Sequence, residues 1–309
     1  MESILSFETL STALRMATPL ILVGLGGMIS LQSGDLNIAL EGMMLIGAFF
    51  AILGSFFFES ALMGILFAVI AAIFYAVIFS FFIIRLKSDV FVVGIAMNIL
   101  ASGLTVFLLR LFFQVRGSFS DPQIQPLAKI QFGFLENIPA LNTLFNNHSL
   151  FVYLSWVLVI LFWIIFYRTP FGFYVRAAGE HPEVLETAGI SVNRIRWMAS
   201  LICGLMCGLG GAHLSLGYLV LFSENMTAGR GFIALAAVIF GGSNPVGMAL
   251  TSLLFGFAEG LSLRIQNIGI PSQITLMLPY VTTLIALFLR SRSHLLKRKS
   301  DMLRSIESE

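Results

Sequence analysis

Nine apolar stretches, parted by short polar interruptions, leave this chain little choice of solvent: 10–29, 36–58, 61–84, 91–113, 150–167, 197–221, 231–242, 246–263 and 273–289. A bilayer core asks for about 20 apolar residues per helix. A soluble domain carries about 25% charged residues, whereas here 11% are charged and 58% hydrophobic, with 30 Phe in 309 residues. The expected fold is therefore all-α: one polytopic integral membrane domain over 1–309, with about nine transmembrane segments (eight to ten). The seventh stretch is short and glycine-bounded, and reads as a half-helix. A formal net charge of +2 says less than where the charges lie.

Their placement orients the chain. Arg85 and Lys87 follow the third stretch, Arg168, Arg176, Arg194 and Arg196 follow the fifth, and Arg290, Arg292, Lys297, Arg298, Lys299 and Arg304 follow the last. With nine spans these regions share one side and hold twelve of the 18 Lys and Arg. The positive-inside rule makes that side cytoplasmic. The 168–196 loop and the 290–309 tail are then cytoplasmic, and the N-terminus and the 114–149 loop extracytoplasmic. Glu2 and Glu8, with no basic region ahead of a short apolar core, do not read as a cleavable signal peptide.

One stretch conflicts with its surroundings. In "SGDLNIALEGMMLIGAFF", Ser33 to Phe50, Asp35, Asn37 and Glu41 stand at the mouth of an apolar helix among Gly34, Gly42 and Gly47. A charge at the bilayer centre costs about 2.5–3.5 kcal/mol on insertion scales. Glu41 must therefore face protein or water, or be protonated. Irregular backbone at depth is tolerated only where it is buried or lines a cavity, which predicts a broken helix with Asn37 and Glu41 at its start. Two roles stand open for Glu41: pinning the break by bonding free N–H groups, or lying on a solute pathway. A weak internal echo supports a repeat. Aligning Gly34 with Gly229 sets "NIALEGMMLIG" beside "FIALAAVIFGG", and the expected arrangement is an inverted repeat with broken, Gly-rich helices.

The loop "RTPFGFYVRAAGEHPEVLETAGISVNRIR", 168–196, predicts two short helices. One runs through Tyr174 to Ala178. The other starts near Pro182, which suits a first helical turn, and stops at Gly189. Its mixed face, with Glu180, Glu183 and Glu186 beside Val184 and Leu185, suits either a membrane-surface loop or a docking knob for a soluble partner.

These two stretches carry a resemblance. The 168–196 loop is similar to the coupling-helix loop of bacterial ABC-importer permeases. "ATPLILVGLGGMISLQSGDLNIALEGMMLIGAF" resembles the nucleoside and simple-sugar branch of that superfamily, as do "VGIAMNILASGLTVFL" at 93–108 and "LMLPYVTTLIALFL" at 276–289. "FGGSNPVG" at 240–247 departs from the usual pattern, which bears on solute identity rather than fold. The resemblance implies a permease subunit for nucleosides or related small polar solutes, placed in a bacterial plasma (inner) membrane with its C-terminus cytoplasmic. The implied partners are a cytoplasmic ATPase, a second permease subunit, identical or different, an extracytoplasmic substrate-binding (lipo)protein, and lipid; no nucleic acid is expected. Arg176, Gly179, Glu180, Pro182, Glu183, Glu186, Ala188 and Gly189 would couple to the ATPase. Asn37, Glu41, Asn98, Phe232 and Asn244 are the pathway candidates.

No cofactor is expected on this chain, and ATP and Mg would be used by the partner. No G-x-x-x-x-G-K-[ST] loop is present to cradle ATP phosphates, nor H-E-x-x-H or G-x-S-x-G for an intramembrane enzyme. The alternative is an ion-coupled secondary transporter using Glu41 as its proton or sodium site. Of the remaining polar groups, His213 should bond between helices, Glu259 should pair with Arg264, and Arg15 and Arg110 should snorkel at the outer ends of their spans. Gly204, Gly208 and Ala212 form a small-residue stripe beside Cys203 and Cys207, which suits close helix packing rather than metal binding or a disulfide.

Overall fold

A computed structural model describes residues 7–133, 139–266 and 281. Among these, seven helices are long and apolar enough to cross a membrane. They are α1 (Phe7–Gln32), α2 (Leu40–Phe58), α3 (Ala61–Ser80, continued by a π-helical turn to Arg85), α4 (Val90–Phe113), α6 (Leu150–Arg168), α9 (Val192–Ala212, continued by a π-helical turn to Leu219) and α11 (Pro245–Gln266). Helices α5 (Pro139–Phe145), α7 (Pro170–Glu180) and α8 (Pro182–Thr187) are short, and α10 (Arg230–Phe240) is the expected half-helix. Eight of the nine stretches read from sequence thus have a helix. The ninth, 273–289, lies outside the described residues except for residue 281, as does the 290–309 tail, so the count of nine is not established.

Packing sorts the helices into inner and outer sets. Helices α1, α2 and α9 are largely enclosed, whereas most of α3, α4 and α6 faces outward. The sequence reason is residue size. Gly47 of α2 meets Gly208 of α9 so closely that an added Cβ would lie 2.9 Å from the Gly208 Cα, and one at Gly204 would lie 2.7 Å from Ala76 Cβ on α3. The small-residue stripe is a packing surface. The outer helices instead present Leu62, Phe74, Ile99, Phe107 and Ile160, side chains at ease in hydrocarbon.

Contacts at the helix ends define two faces. On one, Arg196 at the start of α9 donates to Ser33 O after α1 and to Ala178 O of α7, and Gln32 Nε2 donates to Ser243 O between α10 and α11. On the other, Arg264 of α11 pairs with Glu8 of α1 at 2.6 Å. Strand β1 (Ser118–Phe119) pairs with β4 (Phe222–Ser223), and β2 (Lys129–Ile130) with β3 (His148–Ser149). The 114–149 and 168–196 loops therefore cap opposite ends of the bundle.

The Glu259–Arg264 pairing expected from sequence is wrong. Glu259 pairs with Arg230 instead, and Arg264 with Glu8. Five residues along an α-helix turn a side chain to a different face, whereas three or four bring it back. His213 does bond between elements, its Nδ1 lying 3.2 Å from Ser149 Oγ.

Candidate functional site: two helix N-termini meeting on one carboxylate

After α1 the chain leaves helical geometry for 33–39 and climbs into the bundle. Gly34 makes the turn at φ +98, a conformation open to glycine and costly for most other residues. Asp35 N donates to Ser30 O at 3.1 Å, and Ser30 Oγ to Asp35 O at 2.8 Å. Asn37 is fully buried, with Nδ2 3.4 Å from Cys203 Sγ and Oδ1 accepting Ala39 N at 2.9 Å. Cys203 stands two helical turns beyond Arg196, about 10 Å at 1.5 Å per residue. The non-helical segment thus rises about two helical turns into the bundle before α2 begins, enclosed by protein, as irregular backbone within a membrane must be.

Asn98 of α4 clamps this junction. Its Oδ1 accepts Gly42 N at 2.8 Å and its Nδ2 donates to Ile38 O at 3.0 Å. A primary amide offers a donor and an acceptor side by side, so one residue satisfies an orphan N–H of the α2 N-terminus and a carbonyl of the irregular segment.

From the other half of the chain α10 begins at the same depth. Gly229, at φ +84, precedes it. Glu41, in the first turn of α2, accepts Gly229 N on Oε1 at 2.8 Å and Gly231 N on Oε2 at 2.7 Å. The N-termini of two helices therefore converge on one carboxylate, whose charge complements the positive ends of both macrodipoles. Gly231 is needed for the approach, because a Cβ there would collide with the Glu41 backbone. Beside it, Arg230 donates to Met226 O at 3.0 Å and pairs with Glu259 of α11.

The two breaks run oppositely. The first enters from the Arg196 face and leads outward into α2; the second enters from the β4 face and leads back through α10. Gly34 and Gly229 match in both sequence alignment and positive φ. The match stops there: α10 starts directly after its glycine, α2 only at Leu40.

Of the other predicted site residues, Phe232 is half exposed on α10. Asn244 lies in the turn before α11, where its Oδ1 accepts Val246 N at 3.0 Å, remote from Glu41 by the length of α10. The 168–196 loop has the two predicted helices. Thr169 and Pro170 start α7, Pro182 starts α8, and Gly189 ends it at φ +74. Leu185 is buried while Val184, Glu180, Glu183, Glu186, Ala188 and Gly189 are exposed. Gly179 sits against the α1 end: a Cβ there would collide with Gln32 O and come to 3.0 Å from Gly34 N. Arg196 completes the joint, its guanidinium 3.8 Å from Asp35.

Arg196 enters the sequence reading only as a basic marker, and Arg230, Ser102 and Asn225 not at all. For Arg230 the signal was a lone charge between two glycines at a half-helix start. Ser102 and Asn225, joined at 2.6 Å, left none. Among the described residues, no cluster of three His, Cys, Asp or Glu could hold a metal ion.

Enclosed central helices, two opposed breaks and a short loop fixed to one of them describe a polytopic helical membrane protein. The chain belongs to the branched-chain amino acid transport system permease component family, which matches residues 9–287. It is 37% identical over 282 residues, 88% of each chain, to the guanosine ABC transporter permease protein NupQ of Bacillus subtilis. It is also 37% identical to the nucleoside ABC transporter permease protein NupC of Lactococcus lactis, over 88% of this chain and 89% of that one. A second protein of L. lactis, the nucleoside ABC transporter permease protein NupB, is 27% identical over 87% of this chain and 76% of its own. No solved structure matches the chain. It is a transport component, not an enzyme, and ATP-driven systems of this kind work with ATPase and substrate-binding partners. The ion-coupled alternative has no support: the family and the relatives are those of ATP-driven permease components.

Proposed function

We propose that this chain is the transmembrane subunit of an ATP-binding cassette importer for nucleosides, in a bacterial plasma membrane with the 168–196 loop and the C-terminus cytoplasmic. The observation that carries the reading is the convergence of α2 and α10 on Glu41 at membrane depth, in a chain whose relatives are named for guanosine and nucleosides. Transporters place solute beside half-helix termini. With the positive helix ends already neutralised by Glu41, the site favours a neutral solute. Glu41, Asn98 and Asn37 then shape the pathway from behind, while the exposed Phe232 offers an aromatic face to a base. Asn244 belongs to the turn nearest the cytoplasm.

The ATPase docks on α7 and α8, using the exposed Glu180, Glu183, Glu186 and Val184 together with the Gly189 turn. ATP and Mg are bound by that partner. Movement of α7 reaches the first break directly, through Gly179 against 32–34 and through Arg196. A second, different permease subunit completes the pore, in keeping with the two L. lactis relatives of unequal similarity. An extracytoplasmic lipoprotein delivers the solute to the face bearing β1 and β4.

The test is uptake of guanosine and of glucose into proteoliposomes holding the chain with its ATPase, second permease and binding protein. ATP-dependent guanosine uptake that an uncoupler does not abolish is expected. Uptake that persists without ATP and collapses with the uncoupler would refute the reading.

A further inference from the structure

From Phe91 to Phe107 the exposed surface of α4 is apolar, and one line of partly exposed polar groups runs beside it. Ile95, Ile99 and Phe107 are exposed there as a lipid-facing helix would have them. Between them Asn98 and Ser102, four residues apart, share a face of the helix. Ser102 lies midway along α4, about 18 Å from Val90 at 1.5 Å per residue. Its hydroxyl donates to Oδ1 of Asn225 at 2.6 Å, and Asn225 is exposed. Asn225 takes a left-handed φ of 54, which Asn tolerates better than most residues. Next along the chain, Glu224 Oε1 accepts Gly117 N at 3.0 Å on the outer face. Beside Ser102, the position of a Cβ on Gly103 has no heavy atom within 4 Å. A line of polar groups therefore climbs from Gly42, next to Glu41, through Asn98, Ser102 and Asn225 to the outer loops, with open space alongside.

Polar groups left partly open at the middle of a membrane span are costly against lipid and mark solute routes or protein interfaces. Structural duty accounts for Asn98, whose amide is spent on Gly42 and Ile38. The Ser102–Asn225 bond ties α4 to the segment before α10, and it leaves hydrogen-bonding capacity on both side chains unspent. We propose that Ser102 and Asn225 form a solute-recognition pair that grips the vicinal hydroxyls of a neutral sugar ring. After the hydroxyl of Ser102 has donated to Asn225, its oxygen still accepts, and the Asn225 amide still offers both N–H donors and a lone pair. That donor and acceptor set matches a cis-diol, and gives an anionic group no fixed positive charge. The proposal rests on the importer reading above and goes further, by assigning permease-level selectivity for the ribose moiety to two named side chains.

The test uses the complete transporter in proteoliposomes with guanosine, 2′-deoxyguanosine and an impermeant thiol reagent. Both native cysteines, Cys203 and Cys207, are fully buried, so Ser102→Cys reports on its own site. Labelling of Ser102→Cys from outside, slowed by guanosine in the presence of the binding protein, is expected. Asn225→Ala and Ser102→Ala should each reduce the preference for guanosine over 2′-deoxyguanosine by about tenfold, the effect of losing one well-made hydrogen bond, with complex assembly unchanged. A Ser102→Cys thiol that is unreactive because a second subunit covers it would overturn the proposal, as would unchanged selectivity in both Ala variants while the wild type imports guanosine. If the wild-type complex imports no guanosine at all, the importer reading fails and this one falls with it.

Discussion

The carboxylate of Glu41 and the amide of Gly231 are 190 positions apart in sequence and 2.7 Å apart in space. That bond, with its twin to Gly229, ties the start of α2 to the start of α10 and so joins the two halves of the chain at their breaks. Glu41→Ala strips the acceptors from two helix-terminal N–H groups and should destabilise by about 1.5–3 kcal/mol, the range for hydrogen bonds to a charged group. Glu41→Gln keeps one acceptor and should lose less. Melting of the purified complex in detergent measures both. Equal stability of wild type and Glu41→Ala would mean that the carboxylate does not hold the break.

The Arg230–Glu259 pair joins α10 to α11, with both side chains mostly buried. Removing one partner of such a pair costs about 3–5 kcal/mol, because the other charge is left uncompensated, whereas replacing both with apolar residues is often neutral. Arg230→Met and Glu259→Leu should each lower expression and stability severely, and the double variant should recover most of the loss. A double-mutant cycle with no coupling would show the pair to be incidental.

Gly179 presses on the α1 end with no room for a side chain. Gly179→Ala should leave the helical fold and ATPase co-purification intact while guanosine uptake falls about tenfold or more, since misplacement far from a site can cost that much. Glu186→Lys, on the exposed side of the same loop, should instead release the ATPase. If both variants behaved alike, docking and transmission could not be separate duties of the 168–196 segment.

His148, in β3 on the opposite face, is buried, and its pKa falls below the usual 6.5 chiefly for that reason. A bond to the Leu144 carbonyl opposes the shift, and the nearby Arg15 charge adds to it. With its folded pKa below the unfolded 6.5, it takes up a proton on unfolding once pH falls below 6.5, so stability is full above that pH and declines as pH falls from 6.5 toward the folded value. Melting temperature should drop between pH 7.5 and 5.5, and His148→Gln should flatten the dependence. An identical slope in the variant would assign the effect elsewhere.

What could be read from the residues was local. Apolar runs fixed the helices because the bilayer sets their length, and Pro182 and Gly189 bounded α8 because each residue has a narrow choice of backbone. The break at 33–39 announced itself through Gly34, Asn37 and Glu41. What stayed hidden was pairing over distance. Nothing near Glu41 in sequence names Gly229 and Gly231, and nothing near Glu259 names Arg230; the nearest opposite charge in sequence, Arg264, pairs with Glu8 instead. Ser102 and Asn225 were silent for a further reason: a lone serine in an apolar helix commonly bonds its own preceding carbonyl, and only the folded chain shows that this one turns outward.

The double bond from Glu41 has a bearing on what a cell keeps. Phosphorylated metabolites are trapped inside by their charge, and a membrane doorway lined with unclaimed amides would be a leak for them. Here the amides that would cradle a phosphate are already occupied by the protein's own acid. On the proposed pathway, a nutrient stripped of its phosphate would pass such a doorway, while the nucleotide pool behind it would find no foothold.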